Sequence, residues 1–129
     1  LTEGVLGLVT ASLFTVGLFP LTQLYQIAED RERGDRTFAV EFGAEASFRF
    51  ALVCLFGAGI CMSALSVRRF DTAEVVLLTL GYAGLLVVID SWRRHFRLGV
   101  LSNFELLHRL QYGLSAAMFG YMVLLWVRH

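Results

Sequence analysis

The sequence predicts an all-α fold, a multi-pass membrane helical bundle with four transmembrane helices, and three observations predict it. Hydrophobic residues make up 57% of the 129 positions and charged residues only 17%, with a mean hydropathy of +0.64. Gly4–Ala28, Phe50–Val67 and Leu110–Val127 run for 25, 18 and 18 residues without a charge, and a bilayer core takes roughly 20 mainly apolar residues as helix. Val75–Ile89 is shorter at 15 residues, and reaches span length with Thr72, Glu74 and Asp90 placed at the interface. A soluble helical bundle would carry a polar stripe on most of its helices.

The elements follow in order as helix, charged loop, helix, tight basic turn, helix, basic loop and helix. The first helix is expected over 4–30, with Pro20 inside it. Proline has no backbone N–H and its ring crowds the carbonyl four residues back, so a kink or loosened bonding is expected near Val16. The charged loop 29–42 follows, with Gly34 suited to a C-terminal helix cap. The second helix, 44–66, carries Gly57 and Gly59, which permit close helix contacts. Arg68-Arg69-Phe70-Asp71 is too short for anything but a turn, so the second and third helices are expected to be antiparallel neighbours. The third helix spans 72–92 and the fourth 103–126, with Trp92 and Trp126 as interfacial anchors.

All eleven basic residues are Arg. With four spans, the segments 27–49 and 90–109 share one side of the membrane and hold eight of them, against three at Arg68, Arg69 and Arg128. That asymmetry assigns the first side to the cytoplasm. The expected location is therefore an integral membrane protein, in the inner (plasma) membrane of a prokaryote, with loop 29–42 cytoplasmic. Net charge is zero, and no nucleic-acid partner is expected. Cys54 and Cys61 are seven residues apart on one helix, about 10 Å by rise, too far for a disulfide.

The chemistry-bearing residues cluster where the first span ends. On an α-helix Gln23, Gln26 and Asp30 fall on one face, and oxygen ligands of this kind suit a hard cation such as Mg²⁺, which takes one or two carboxylates plus phosphates and waters. Asp30 and Glu29 are the carboxylates at hand, with Gln26 as a third oxygen donor. Arg31, Arg33 and Arg36 follow at once, and guanidinium forks bind phosphate oxygens in pairs. Metal, diphosphate and Arg cluster together would suit ionisation of an allylic lipid diphosphate. The same residues read equally as a solvated face that sets topology. Elsewhere, Asp90 stands three and four residues before Arg93 and Arg94, the spacing of a helix-end ion pair. Glu105, His108, Arg109 and Tyr112 form a polar stripe opening the fourth helix.

Residues 22–43 resemble the second Asp-rich motif of the UbiA-type intramembrane prenyltransferase family, roughly KDxxDxxGDxxxGxRTLAV followed by Gly. Asp30, Gly34, Arg36, Thr37, Ala39, Val40 and Gly43 match in register. The resemblance implies the C-terminal part of a nine-helix fold, the last four helices of a longer protein. The partner motif NDxxDxxxD would belong to the missing N-terminal half, since the only Asn here is Asn103. It further implies Mg²⁺-dependent transfer of a polyprenyl group from its diphosphate to an aromatic or other lipophilic acceptor. Asp30 would be catalytic and a metal ligand with Glu29 or Gln26, while Arg31, Arg33 and Arg36 would hold the diphosphate. Tyr25 would line the substrate cavity and membrane lipids would surround the whole. Gln23 and Gln26 stand where the family has Asp, and Thr22 where it often has Lys. These departures favour an alternative: a non-catalytic UbiA-like membrane protein with a lipid-binding or assembly role.

Overall fold

The computed structural model describes residues 2–97 and 100–128, which form helices joined by short connections with no strand among them. Four helical stretches, Glu3–Arg33, Phe38–Arg69, Thr72–Arg94 and Ser102–Arg128, are long and apolar enough to cross a membrane. The chain divides into two units, Leu1–Phe96 and Arg97–His129.

The first unit opens with helix α1 (Glu3–Leu18). The expected single helix over 4–30 does not continue as one α-helix. From Phe19 to Gln26 the chain winds as a 3₁₀ helix with Pro20 in its first turn, and α-geometry resumes only in helix α2 (Ile27–Arg33). Eight residues of 3₁₀ is long, since runs beyond three or four are uncommon. Two features account for it. Pro20 removes an α-type hydrogen bond at the start. The apolar residues that follow are then spaced by three, which suits a helix with three residues per turn. Leu21, Leu24 and Ile27 are 0%, 2% and 4% exposed, and the stripe ends three residues on at Asp30, 3% exposed.

Gly34 closes α2 in the left-handed conformation, φ 78° and ψ 15°. Its N–H donates to the Arg31 carbonyl at 3.2 Å and the Asp35 N–H to the Asp30 carbonyl at 2.8 Å, the pair of bonds of a Schellman cap. The segment expected as loop 29–42 thus contracts to Gly34–Thr37, because helix α3 begins at Phe38 and runs to Arg69. Thr37 is its N-cap, its Oγ1 accepting from Val40 N at 3.3 Å. One break interrupts α3: Gly43, at φ 84° and ψ 172°, separates a first turn from the long span that follows.

Helix α4 (Thr72–Arg94) starts from a capping box in which Asp71 accepts from Glu74 N at 3.0 Å and Glu74 accepts from Asp71 N at 3.3 Å. It packs antiparallel to α3, as the short turn predicts: Glu45 meets Arg93 at 3.0 Å near one end, and a side chain at Gly59 would touch Tyr82 at 3.4 Å further along. α1 crosses α3 most closely at Gly17, where an added Cβ would sit 2.7 Å from the Cys54 Cβ. Cys54 and Cys61 are both free thiols. Trp92, expected as an interfacial anchor, turns into the packing between α3 and α4. It is 6% exposed, set edge-on against Phe48 at 5.2 Å between ring centroids. Phe48 also meets Phe96 at 5.5 Å, and aromatic pairs favour such T-shaped geometry.

In the second unit helix α5 runs from Val100 to Arg128. Asn103 donates from Nδ2 to the Arg97 carbonyl at 2.7 Å, and Asn103 and Leu107 are buried. His108 stacks on Phe104 with centroids 3.9 Å apart, while Trp126 is exposed.

Candidate functional site

The 3₁₀ winding rearranges the faces that an uninterrupted α-helix would present. Asp30 belongs to the buried row of Leu21, Leu24 and Ile27. Gln23 and Gln26 are half-buried on a neighbouring row and Glu29 is exposed. The three expected donors Asp30, Glu29 and Gln26 thus differ in burial, and each has its own surroundings. Asp30 Oδ1 accepts from Arg33 at 2.8 Å. Gln26 Nε2 donates to the Tyr25 hydroxyl at 2.8 Å. Glu29 makes no ion pair among the described residues.

The Arg residues differ in their engagements. Arg33 bridges Asp30 and, at 3.3 Å, Asp35. Arg36 Nε donates to Glu41 at 2.7 Å, tying the turn to the first residues of α3. Glu41 holds the Arg36 guanidinium above its ordinary pKa through that hydrogen bond and its charge, so Arg36 remains cationic at every physiological pH. Arg31 is exposed and has no ion pair among the described residues. Of the three, it is the one with no carboxylate partner among the described residues.

Gln23 has a role that its position in the sequence does not announce. Its Oε1 accepts from the Ala39 N–H at 3.3 Å, sixteen residues away. The first N–H groups of a helix have no intrahelical acceptor. Thr37 takes the one at Val40 and Gln23 the one at Ala39, a fully buried residue. The amide thus ties the 3₁₀ segment to the start of α3 and closes the turn that displays Arg31, Arg33 and Arg36. The signal available was Thr37 ahead of Phe38-Ala39-Val40, an N-cap before an apolar run. The second partner could come only from the folded chain.

Segment 29–41 holds five carboxylates, at Glu29, Asp30, Glu32, Asp35 and Glu41, against three Arg, for a net charge of −2. Such a surface favours a cation before an anion. No three His, Cys, Asp or Glu side chains among the described residues are placed to share a metal ion. One buried carboxylate is still compatible with Mg²⁺, which commonly binds through one or two carboxylates with substrate phosphates and waters. This chain fits part of a ligand set.

A second polar cluster lies between the start of α3 and the end of α4. Asp90 accepts from Arg93 at 2.9 Å and from Arg94 at 2.7 Å, the ion pair its spacing predicts. Glu45 accepts from Arg49 at 2.9 Å and from Arg93 at 3.0 Å. Arg93 so joins α3 to α4. Between these helices lies an open groove of about 850 Å³. Comparison with family models, with curated proteins and with solved structures finds no match to this chain.

Proposed function

We propose that this chain is the C-terminal part of an intramembrane prenyltransferase resembling the UbiA type, which transfers a polyprenyl group from its diphosphate to an aromatic or other lipophilic acceptor. The observation that carries the reading is Asp30. It is the single carboxylate in register with the motif, and it terminates the buried stripe of Leu21, Leu24 and Ile27 where the membrane-length stretch Glu3–Arg33 ends. Two other in-register residues, Gly34 and Gly43, have φ of 78° and 84°, values that side-chain-bearing residues rarely adopt. The motif's glycines thus have a backbone reason to be there.

In this reading the protein is integral to a prokaryotic inner membrane. The Arg asymmetry between the two sides favours a cytoplasmic position for residues 29–42. Asp30 would be the residue that holds Mg²⁺, and the ion would supply neutralisation of the charge on the departing diphosphate. Arg31 offers an unpaired guanidinium to phosphate oxygens, and Arg33 and Arg36 hold the shape of the turn around it. Tyr25, half-buried within the motif, would line the substrate cavity. The other Asp-rich motif and the remaining walls come from the N-terminal half of the same protein. The test is Asp30→Asn in the intact protein, assayed in membranes with radiolabelled prenyl diphosphate and graded Mg²⁺. A loss of at least tenfold in Mg²⁺-dependent turnover is expected; unchanged turnover would remove Asp30 from the role.

A second reading rests on Gln23 and Gln26, both engaged within the protein, with Ala39 and Tyr25. Where the family presents acids to a metal, this chain presents amides that hold its own fold together. A non-catalytic relative with a lipid-binding or assembly role would show that pattern. It predicts no prenyl transfer by the wild-type protein at any Mg²⁺ concentration.

A further inference from the structure

The groove between α3 and α4 is amphiphilic along its length. Its walls are Leu52, Val53 and Phe56 from α3 and Leu86 and Val87 from α4. Its far end is polar, formed by Asp90, Ser91, Arg94 and His95. The α4 stripe from Leu86 to Arg94 follows helical spacing and extends about 12 Å. Both helices are long and apolar enough to cross a membrane, and the polar end lies where α4 terminates. Val53, Phe56 and Val87 are 73%, 59% and 68% exposed.

We propose that this groove seats one acyl chain of an anionic phospholipid, with the lipid phosphate at Arg94 and the head-group hydroxyls at His95. The charges favour that head group. Around the polar end Arg49, Arg93 and Arg94 outnumber Glu45 and Asp90 by one positive charge. Arg94 gives Nε to Asp90 and is 68% exposed. A guanidinium has five N–H donors, so its remaining donors suit a phosphate as well. His95 donates Nδ1–H to the Ser91 carbonyl, 2.9 Å away, which leaves Nε2 of the neutral ring as an acceptor for a hydroxyl of a glycerol head group. The apolar trough supplies what a bare Arg pair does not. An unfilled concavity on a helix surface loses dispersion contacts, and a chain lying in it restores them. At about 850 Å³ the groove falls within the roughly 300–1,000 Å³ of ordinary ligand pockets. The site is separate from the Asp30 cluster and stands whether or not prenyl transfer is the activity.

The experiment uses the intact protein in nanodiscs of mixed phosphatidylcholine and phosphatidylglycerol, with co-purifying lipid counted by native mass spectrometry. Arg94→Gln with His95→Gln is expected to lower the preference for phosphatidylglycerol by about five- to tenfold, with total bound lipid retained. Val53→Trp with Val87→Trp, on exposed positions that do not disturb the core, is expected to remove a bound lipid whatever its head group. An unchanged phosphatidylglycerol preference in the first variant overturns the proposal. So does an unchanged lipid count in the second, or displacement of the lipid by inorganic phosphate alone, which would place binding on the charges without the groove.

Discussion

Replacing Gln23 by Leu removes one oxygen and one N–H₂ group while keeping the side chain's bulk, and the oxygen is the one that accepts from Ala39 N at 3.3 Å. Ala39 is fully buried, so its N–H would lose its partner without gaining water. A buried unsatisfied donor costs about 1–3 kcal/mol, and losing a helix N-cap costs about 0.5–2 kcal/mol. The bond is at the long end of hydrogen-bond geometry, which places the expected loss near the overlap of the lower halves, about 1–1.5 kcal/mol. That corresponds to roughly a tenfold fall in the folded-to-unfolded ratio. The assay is reversible unfolding in detergent micelles, followed by helical circular dichroism, with hydrogen exchange read at Ala39. Gln23→Glu keeps an acceptor of the same reach and puts negative charge at a helix N-terminus, which is favourable; it should match the wild type within a few tenths of a kcal/mol. Gln23→Asp restores the acid of the motif but falls short by about 1.5 Å, one carbon–carbon bond, and should resemble Leu. Equal stability for the Leu and Glu variants, with unchanged exchange at Ala39, would refute the argument.

Gly17→Ala drives a methyl to within 2.7 Å of the Cys54 Cβ and 3.4 Å of the Ala51 carbonyl, so overpacking should cost about 1–3 kcal/mol. The double variant Gly17→Ala, Cys54→Gly should recover part of that in a mutant cycle; strict additivity would locate the cost elsewhere. Gly43→Ala meets nothing within 4 Å yet must adopt φ 84° and ψ 172°, a region nearly confined to glycine, at about 1–3 kcal/mol. Its loss should appear as lower stability with unaltered α3–α4 packing, measured by unfolding and by crosslinking across that helix pair.

Much of the architecture was legible from local pattern alone. Long uncharged runs mark four helices long and apolar enough to cross a membrane, because each residue contributes its transfer energy nearly independently of its partners. Gly34 as a cap and Asp90 with Arg93 and Arg94 as a helix-end cluster follow from spacings of three and four, which a helix converts directly into contact. The expected start of the second helix at 44 falls just after the break at Gly43, and the short helical piece from Phe38 ahead of it lies within the segment expected as loop.

Only the tertiary structure decided which partner each polar side chain takes. Pro20 announces an irregularity, but the eight-residue 3₁₀ stretch depends on burying Leu21, Leu24 and Ile27 in one row against neighbouring helices. That winding turns Asp30 inward and leaves Gln23 within reach of Ala39, a contact no sequence window contains. Likewise Trp92 carries the signature of an interfacial anchor and lies instead against Phe48, because α4 crosses α3 there. Hydropathy and helical spacing act within a segment, so the sequence by itself determined the four long apolar helices and the Gly34 cap. Hydrogen-bond partners and grooves arise between segments, where the approach of the helices sets every distance.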